Sequence, residues 1–257
     1  ADEDLGDITC LGTAAGDNPT LVALDEGERR AFKIGPSLQY DARDNPFFPT
    51  TGFLISASLD YSVGRSRAQP EDDFSPQSFL RGEAAFTTYF AFGPTVLAVS
   101  ARGGHINSLE NEVPIFERFF LGGRTTLRGF QERALIAEDC QIVSDENVPD
   151  ASDQCIIGVS AGSVPITQGG QTYALLKAEF RVPISGAASL GFFVDSGNLW
   201  FSLPNEIDEL RVRYSTGAGL RYNTPVGPLA LDVGVNPSRR EENGEDWTAL
   251  HFTVGVF

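Results

Sequence analysis

The chain has 257 residues, of which 41% are hydrophobic, and carries 35 acidic against 19 basic side chains, a formal charge of −16. Neutralising phosphates needs a basic surface, so nucleic acid is excluded as a partner. No apolar run approaches the roughly 18–20 residues of a membrane-spanning helix, and no charged, apolar, small-residue leader opens the chain. With no methionine at all, it is expected to be a processed product or a fragment.

Residues 1–30 read as an acidic loop or linker. Beyond them, apolar and polar side chains separate at a spacing of two, the period of a strand whose faces meet different surroundings. Phe32, Ile34, Pro36, Leu38 and Tyr40 share one face. Phe53, Ile55, Ala57, Leu59, Tyr61 and Val63 follow, then Leu80, Gly82, Ala84, Phe86, Thr88, Phe90 and Phe92. Further strands are predicted around 96–104, 173–183, 188–196, 211–222, 229–236 and 249–257, about nine in all. A weaker candidate, Thr20–Leu24, would make a tenth.

The connections alternate. Short turns with Pro or Gly occur at Asp44–Pro49, Gly93-Pro94, Pro183–Gly186 and Thr224–Pro228, whereas long polar loops fill 64–78, 105–170, 201–209 and 236–248. Short turns on one side and long loops on the other characterise an antiparallel up-and-down transmembrane β-barrel. A soluble sandwich shares the period but turns its charged face to water. Here the polar face is dense and mixed in sign: Lys33, Asp60, Arg81, Glu83, Arg102, Lys177, Glu179, Arg181, Asp195, Arg211, Arg213, Arg221 and Asp232. Such a set suits a watery lumen. Tyr40, Tyr61, Phe90, Phe92, Trp200 and Tyr222 fall near strand ends, where membrane-interface girdles lie.

Cys140 and Cys155 share one loop, and bridging them would close about 15 residues for a gain on the order of 3 kcal/mol. They are expected to be a disulfide; Cys10 is left over. Gly158-Val-Ser-Ala-Gly162 matches a hydrolase nucleophile pattern, which needs a strand before it, a helix after it and a histidine base in reach; only His105 and His251 exist, and small residues in a loop often produce the match by chance. The acidic run Asp145–Asp153 lacks the spacing of a calcium loop. His105 and His251 stand alone, so neither metal nor cofactor nor catalysis is expected.

The long loop contains Phe116-Glu-Arg-Phe-Phe-Leu-Gly-Gly-Arg-Thr-Thr-Leu-Arg-Gly-Phe130, which sets Arg128 between a glycine-rich turn and an aromatic side chain. Such rigidity fits a loop tucked into a barrel. The part Leu121–Phe130 resembles the loop motif of the BamA/TamA outer-membrane assembly-factor superfamily, also called the bacterial surface-antigen family. Gly191–Trp200, Arg213–Leu229 and the turn Arg43–Gly52 are similar to further motifs of that family, in order from about residue 31 to 257.

The resemblance implies a sixteen-stranded barrel of the bacterial outer membrane, preceded by periplasmic POTRA domains, that folds and inserts other barrels or translocates proteins. Residues 31–257 would be its C-terminal half, with loop 105–170 inserted. Missing N-terminal strands or a second chain would complete it. Partners would be outer-membrane lipid, nascent barrel proteins and accessory lipoproteins. Alternatives are a two-partner secretion transporter and a surface-antigen barrel anchoring an upstream patatin-like lipase.

By this resemblance Arg128 contacts inward carboxylates on the two strands after the loop, matching Glu179 and Asp195, while Gly122, Gly123 and Gly129 give the backbone room and Phe130 follows. The second expected feature is a seam at the last strand. Leu250, Phe252, Val254 and Val256 share one phase, Phe257 takes the other, and Gly255 weakens pairing. A weak seam would open laterally to template an incoming strand.

Overall fold

The structure is a computed structural model and describes residues 28–67, 75–144, 155–159, 165–204, 211–224 and 227–254. Cys10, Thr20–Leu24, Asp145–Asp153, Ser160, Gly255 and Phe257 lie outside these residues. Strands β1 (Glu28–Ile34), β2 (Ser37–Asp41), β3 (Gly52–Arg67), β4 (Ser75–Phe92) and β5 (Thr95–Glu110) precede the long loop. The loop holds β6 (Gln141–Ser144) and β7 (Ile156–Val159), a parallel pair. Strands β8 (Thr172–Ser185), β9 (Ala188–Trp200), β10 (Arg213–Thr224), β11 (Gly227–Val235) and β12 (Thr248–Val254) complete the order.

All except β6 and β7 form one sheet, ordered β1-β3-β4-β5-β8-β9-β10-β11-β12, with β2 also on β3. Each pairs antiparallel with its predecessor in the wall, so the sheet is an up-and-down meander. β1 and β2 occupy one position. Ile34 faces Tyr61 and Ser37 faces Ser58, so the register continues across Gly35-Pro36. Proline lacks the N–H that a continuous ladder would use. At Gly35 a Cβ would stand 1.9 Å from the carbonyl oxygen of Leu59, and only glycine fits. The wall thus has nine strand positions among the described residues.

Side-chain exposure is inverted relative to a soluble fold. On the outer row Phe192, Val194 and Leu250 are 50%, 52% and 66% exposed, whereas Asp195, Arg213 and Arg221 on the inner row are 0%, 3% and 4% exposed. An apolar row left bare over a buried charged row costs free energy in water and is favourable in lipid. No second sheet covers that row among the described residues, and the wall is therefore a partial, unclosed β-barrel.

Two outer or inner placements differ from the sequence pattern. Trp200 is buried, because the chain returning to β8 crosses the loop end of β9, where the Gln171 amide donates to the Trp200 carbonyl. Arg211 precedes β10 and is exposed, since it is not held in the wall's alternation.

The strands also run longer on the loop side than alternation alone indicates. β3, β4 and β5 have 16, 18 and 16 residues, more than the roughly 9–11 that a tilted strand needs to cross a bilayer. β5 continues to Glu110 because β4 supplies partners up to Ser78. In this upper region the inner wall is apolar. Phe79, Ile106, Leu175 and Leu199 pack with Phe119, Leu121, Leu127, Phe130 and Leu135 of the loop in one buried cluster. The lumen is thus partly filled by protein, and burial of these side chains is what drives the loop inward.

Candidate functional site

The segment Leu121–Leu135 folds back on itself inside the wall. Gly122 and Gly123 have φ of 106° and 98°, values that strain any residue with a Cβ. The Gly123 amide donates to the carbonyls of Leu127 and Phe130, both at 3.1 Å, and the Gly122 amide donates to Thr126 Oγ1 at 2.9 Å. Leu127 and Phe130, both buried, flank the tip. Between them Arg128 is fixed before it meets its partners.

Arg128 Nε and Nη2 donate to Asp195 Oδ2 and Oδ1 at 2.8 and 2.7 Å, a two-point fork, and its main-chain amide donates to Oδ2 at 3.1 Å. Nη1 donates to Glu179 Oε2 at 2.5 Å and lies 3.8 Å from Asp232 Oδ2. Beneath the guanidinium is the ring of Phe193, 3.6 Å from the centroid. The ring has room there because its cross-strand neighbour is Gly217, where a Cβ would come within 2.5 Å of it. Asp195 and Glu179 reach Arg128 together because β8 and β9 are neighbours whose inward positions alternate: Lys177 faces Asp195 and Glu179 faces Phe193.

Around Arg128 the cluster is built from further ion pairs, with Lys177 an additional cation opposite Asp195. Arg181 Nε donates to Glu179 Oε1 at 2.9 Å, while Arg221 reaches Glu179 at 2.9 Å and Asp232 at 2.5 Å. Three guanidiniums, two of them buried and that of Arg181 half-buried, thus face three buried carboxylates. Desolvation makes a buried ion pair a weak source of net stability, but removing one member costs about 3–5 kcal/mol by stranding the others. The arrangement specifies one seating of the loop.

A glycine notch in the wall receives the Arg128–Gly129 backbone. A Cβ on Gly129 would stand 2.5 Å from both Ser215 Cβ and the Val235 carbonyl oxygen, and one on Gly234 would stand 1.9 Å from the Arg128 carbonyl oxygen. Alternation alone does not single out Gly217, Gly219 and Gly234. Their signal is that they share the inward phase of Arg213, Arg221 and Asp232, where a lumen needing bulk would not place them.

The loop is held elsewhere by wall cations. Arg81 Nη1 donates to the Glu117 carbonyl at 3.0 Å, Lys177 Nζ to that of Thr125 at 3.2 Å, and Arg102 also bonds Thr125. Between loop and wall is a cavity of about 640 Å³ whose polar lining includes Arg81, Glu83, Arg102, Arg118, Arg133 and Tyr173.

Cys140 and Cys155 form a disulfide, with Cα atoms 4.5 Å apart. Glu138, two residues before it, accepts from Arg240 Nη2 at 2.7 Å and from Asn198 Nδ2 at 3.2 Å. In the loop between β11 and β12, Glu245 accepts from Arg213 at 2.5 Å and from the Arg240 amide at 2.8 Å. Arg213 also covers the Phe130 ring at 5.2 Å. The two loops are thus knitted together, a relation that residue spacing does not reveal.

The seam residues are placed differently. Leu250, Phe252 and Val254 point outward on β12, each more than 60% exposed. Among the described residues β12 pairs only with β11. The structure brings no first strand against it.

Fold and site together define a class: an integral β-barrel of an outer membrane whose long surface loop is anchored in the lumen by an arginine. The chain matches the Omp85 superfamily domain over residues 8–257, and it belongs to that superfamily. It is 27% identical over 251 residues to the outer membrane protein assembly factor BamA of Nitratidesulfovibrio vulgaris, covering 94% of this chain and 27% of that protein. A SAM50-like protein of Schizosaccharomyces pombe is 24% identical over 257 residues, with 91% of this chain and 46% of that protein covered. The crystal structure of BamA from Haemophilus ducreyi lacking POTRA domains 1–3 superposes with a TM-score of 0.61 at 22% identity, covering 88% of this chain and 42% of that one. The chain therefore spans less than half the length of these relatives.

Proposed function

We propose that this chain is the C-terminal half of an outer-membrane barrel that inserts and folds other barrel proteins, with residues 105–170 locked in the lumen by Arg128. The similarity to assembly factors supports this activity, and the fork of Arg128 on Asp195, buried and supported by Glu179, carries the reading. A strap held in one position by a cluster of ion pairs acts as a rigid scaffold for the wall around it. Gly122, Gly123 and Gly129 set its shape, and Phe130 wedges it beneath Arg213. No covalent step is involved.

In this reading nascent barrel proteins are the substrate, outer-membrane lipid surrounds the apolar row, and accessory lipoproteins assist. The nine strand positions form one wall, which N-terminal strands or a second chain would close. The last strand, with Leu250, Phe252 and Val254, lines the seam where an incoming strand is templated by backbone pairing.

The test is Arg128→Ala in the full-length protein reconstituted in liposomes, scored by insertion of a reporter barrel and by heat-modifiable migration. Loss of insertion, with a loop newly open to protease, is the expected result. Normal insertion and a wild-type migration shift would refute the lock.

A further inference from the structure

His251 lies on the inner face of β12 and is buried. Its Nε2 is 3.1 Å from the carbonyl oxygen of Arg128, the residue whose guanidinium is bound to Asp195 and Glu179. The contact exists because Gly234, one strand inward, leaves the Arg128 carbonyl room to reach the wall. Cross-strand pairs put His251 opposite Asp232, and Asp232 opposite Gly219, so the histidine extends the row that carries the charge cluster. On its outer face β12 offers Thr248, Leu250, Phe252 and Val254, none of them a tie to the loop. Among the described residues, β11 is its single sheet neighbour and Arg128 its anchor in the loop.

We propose that His251 is a positioning residue that joins loop seating to pairing of the last strand, an inference that deepens the assembly reading and rests on it. With the loop seated, β12 is held by the β11 ladder and by the Nε2–H donated to Arg128. With the loop withdrawn, the inner tie is gone and β12 frays from β11 more readily. The seam strand then becomes free to exchange partners when the arginine leaves its cluster. Loop position is thereby communicated to the seam through one side chain rather than through the whole wall.

The experiment is hydrogen exchange read by mass spectrometry on the full-length protein in lipid nanodiscs, comparing residues 248–254 with 213–224 as internal reference. In His251→Phe, which keeps a ring but loses the donor, exchange at 248–254 should rise about two- to tenfold, the worth of one hydrogen bond, without change at 213–224. His251→Gln, which keeps an N–H donor, should restore most of the protection. Arg128→Ala in the His251 background should give the same rise, and the double variant no further increase. Wild-type exchange at 248–254 in His251→Phe, or full additivity in the double variant, overturns the tie. Should His251→Phe not fold, Arg128→Ala decides alone: a protease-open loop with unchanged exchange at 248–254 overturns it. Insertion of the reporter barrel by the wild-type protein is measured in parallel, so that absent insertion beside faster exchange in His251→Phe strikes the assembly reading and leaves the tie standing.

Discussion

The carbonyl oxygen of Arg128 stands 1.9 Å from where a Cβ on Gly234 would be, so the seated loop and the bare backbone of β11 occupy adjoining space. Gly234→Ala should push the loop out of register at a cost of about 1–3 kcal/mol, the usual penalty of overpacking. Limited proteolysis of the loop checks this. Gly82→Ala is the control, since its Cβ would meet only Leu59 Cδ1 at 3.6 Å. Equal protease resistance in the two variants would remove the notch from the account.

Replacing Arg128 by Lys separates charge from geometry. An ammonium keeps the charge but cannot donate in parallel to both oxygens of Asp195 while also reaching Glu179. Each charge-assisted bond lost is worth about 1.5–3 kcal/mol. Loop protection should rank wild type above Lys above Ala, with Ala costing about 3–5 kcal/mol because the carboxylates remain buried. A lysine variant equal to wild type in proteolysis and insertion would show that charge alone suffices.

The outer row faces lipid, and an inserted charge there should be expensive. Val194→Arg, at a position 52% exposed on the outer face of β9, should cost roughly 2–4 kcal/mol if it sits near the bilayer midplane. Urea titration of refolding into vesicles reads the difference. A variant that refolds with the wild-type midpoint would argue that the row meets protein or water.

Cutting the Cys140–Cys155 bridge releases the strap on the far side of the motif from its arginine. Cys140→Ser with Cys155→Ser should lower local stability by about 3 kcal/mol on the chain-entropy account. The expected readout is faster cleavage within 135–170 at unchanged circular dichroism, because the wall ladder does not depend on the bridge. Unchanged cleavage would place the hold on the loop in the Glu138–Arg240 pair instead.

The turn between β2 and β3 gives a pH dependence with a fixed sign. Hydrogen bonds from the Thr50 hydroxyl and from the amides of Thr51 and Thr50 hold the Asp44 carboxyl well down, at about 2. A carboxyl whose pKa is lower folded than unfolded contributes its stability above the unfolded value, near 4, and loses it as pH falls towards about 2. Order in the turn, followed by a fluorophore at residue 47, should therefore be constant above pH 4 and decline below it. In Asp44→Asn the decline should vanish; persistence of the same transition in that variant would assign it to another group.

The all-β class, the nine strand positions and the division of faces were legible from the chain alone. A strand's period is two whatever it packs against, and Phe192 beside Asp195 already declares two environments. The disulfide could likewise be read from two cysteines in one loop. Arg128, Glu179 and Asp195 were each visible as candidates, but only by resemblance could they be joined. What the tertiary structure decided is everything that depends on strand neighbours and register: Arg181, Arg221 and Asp232 joining the ion pairs of the cluster, glycines aligned into a notch, and His251 changing from an isolated histidine to a contact of Arg128. It also buried Trp200, filled the upper lumen with apolar side chains and laid the last loop on the strap. The physical reason is range. Alternation is set by bonds between adjacent residues, whereas partners 51, 67 and 123 positions apart meet only after the wall has fixed which strand lies beside which.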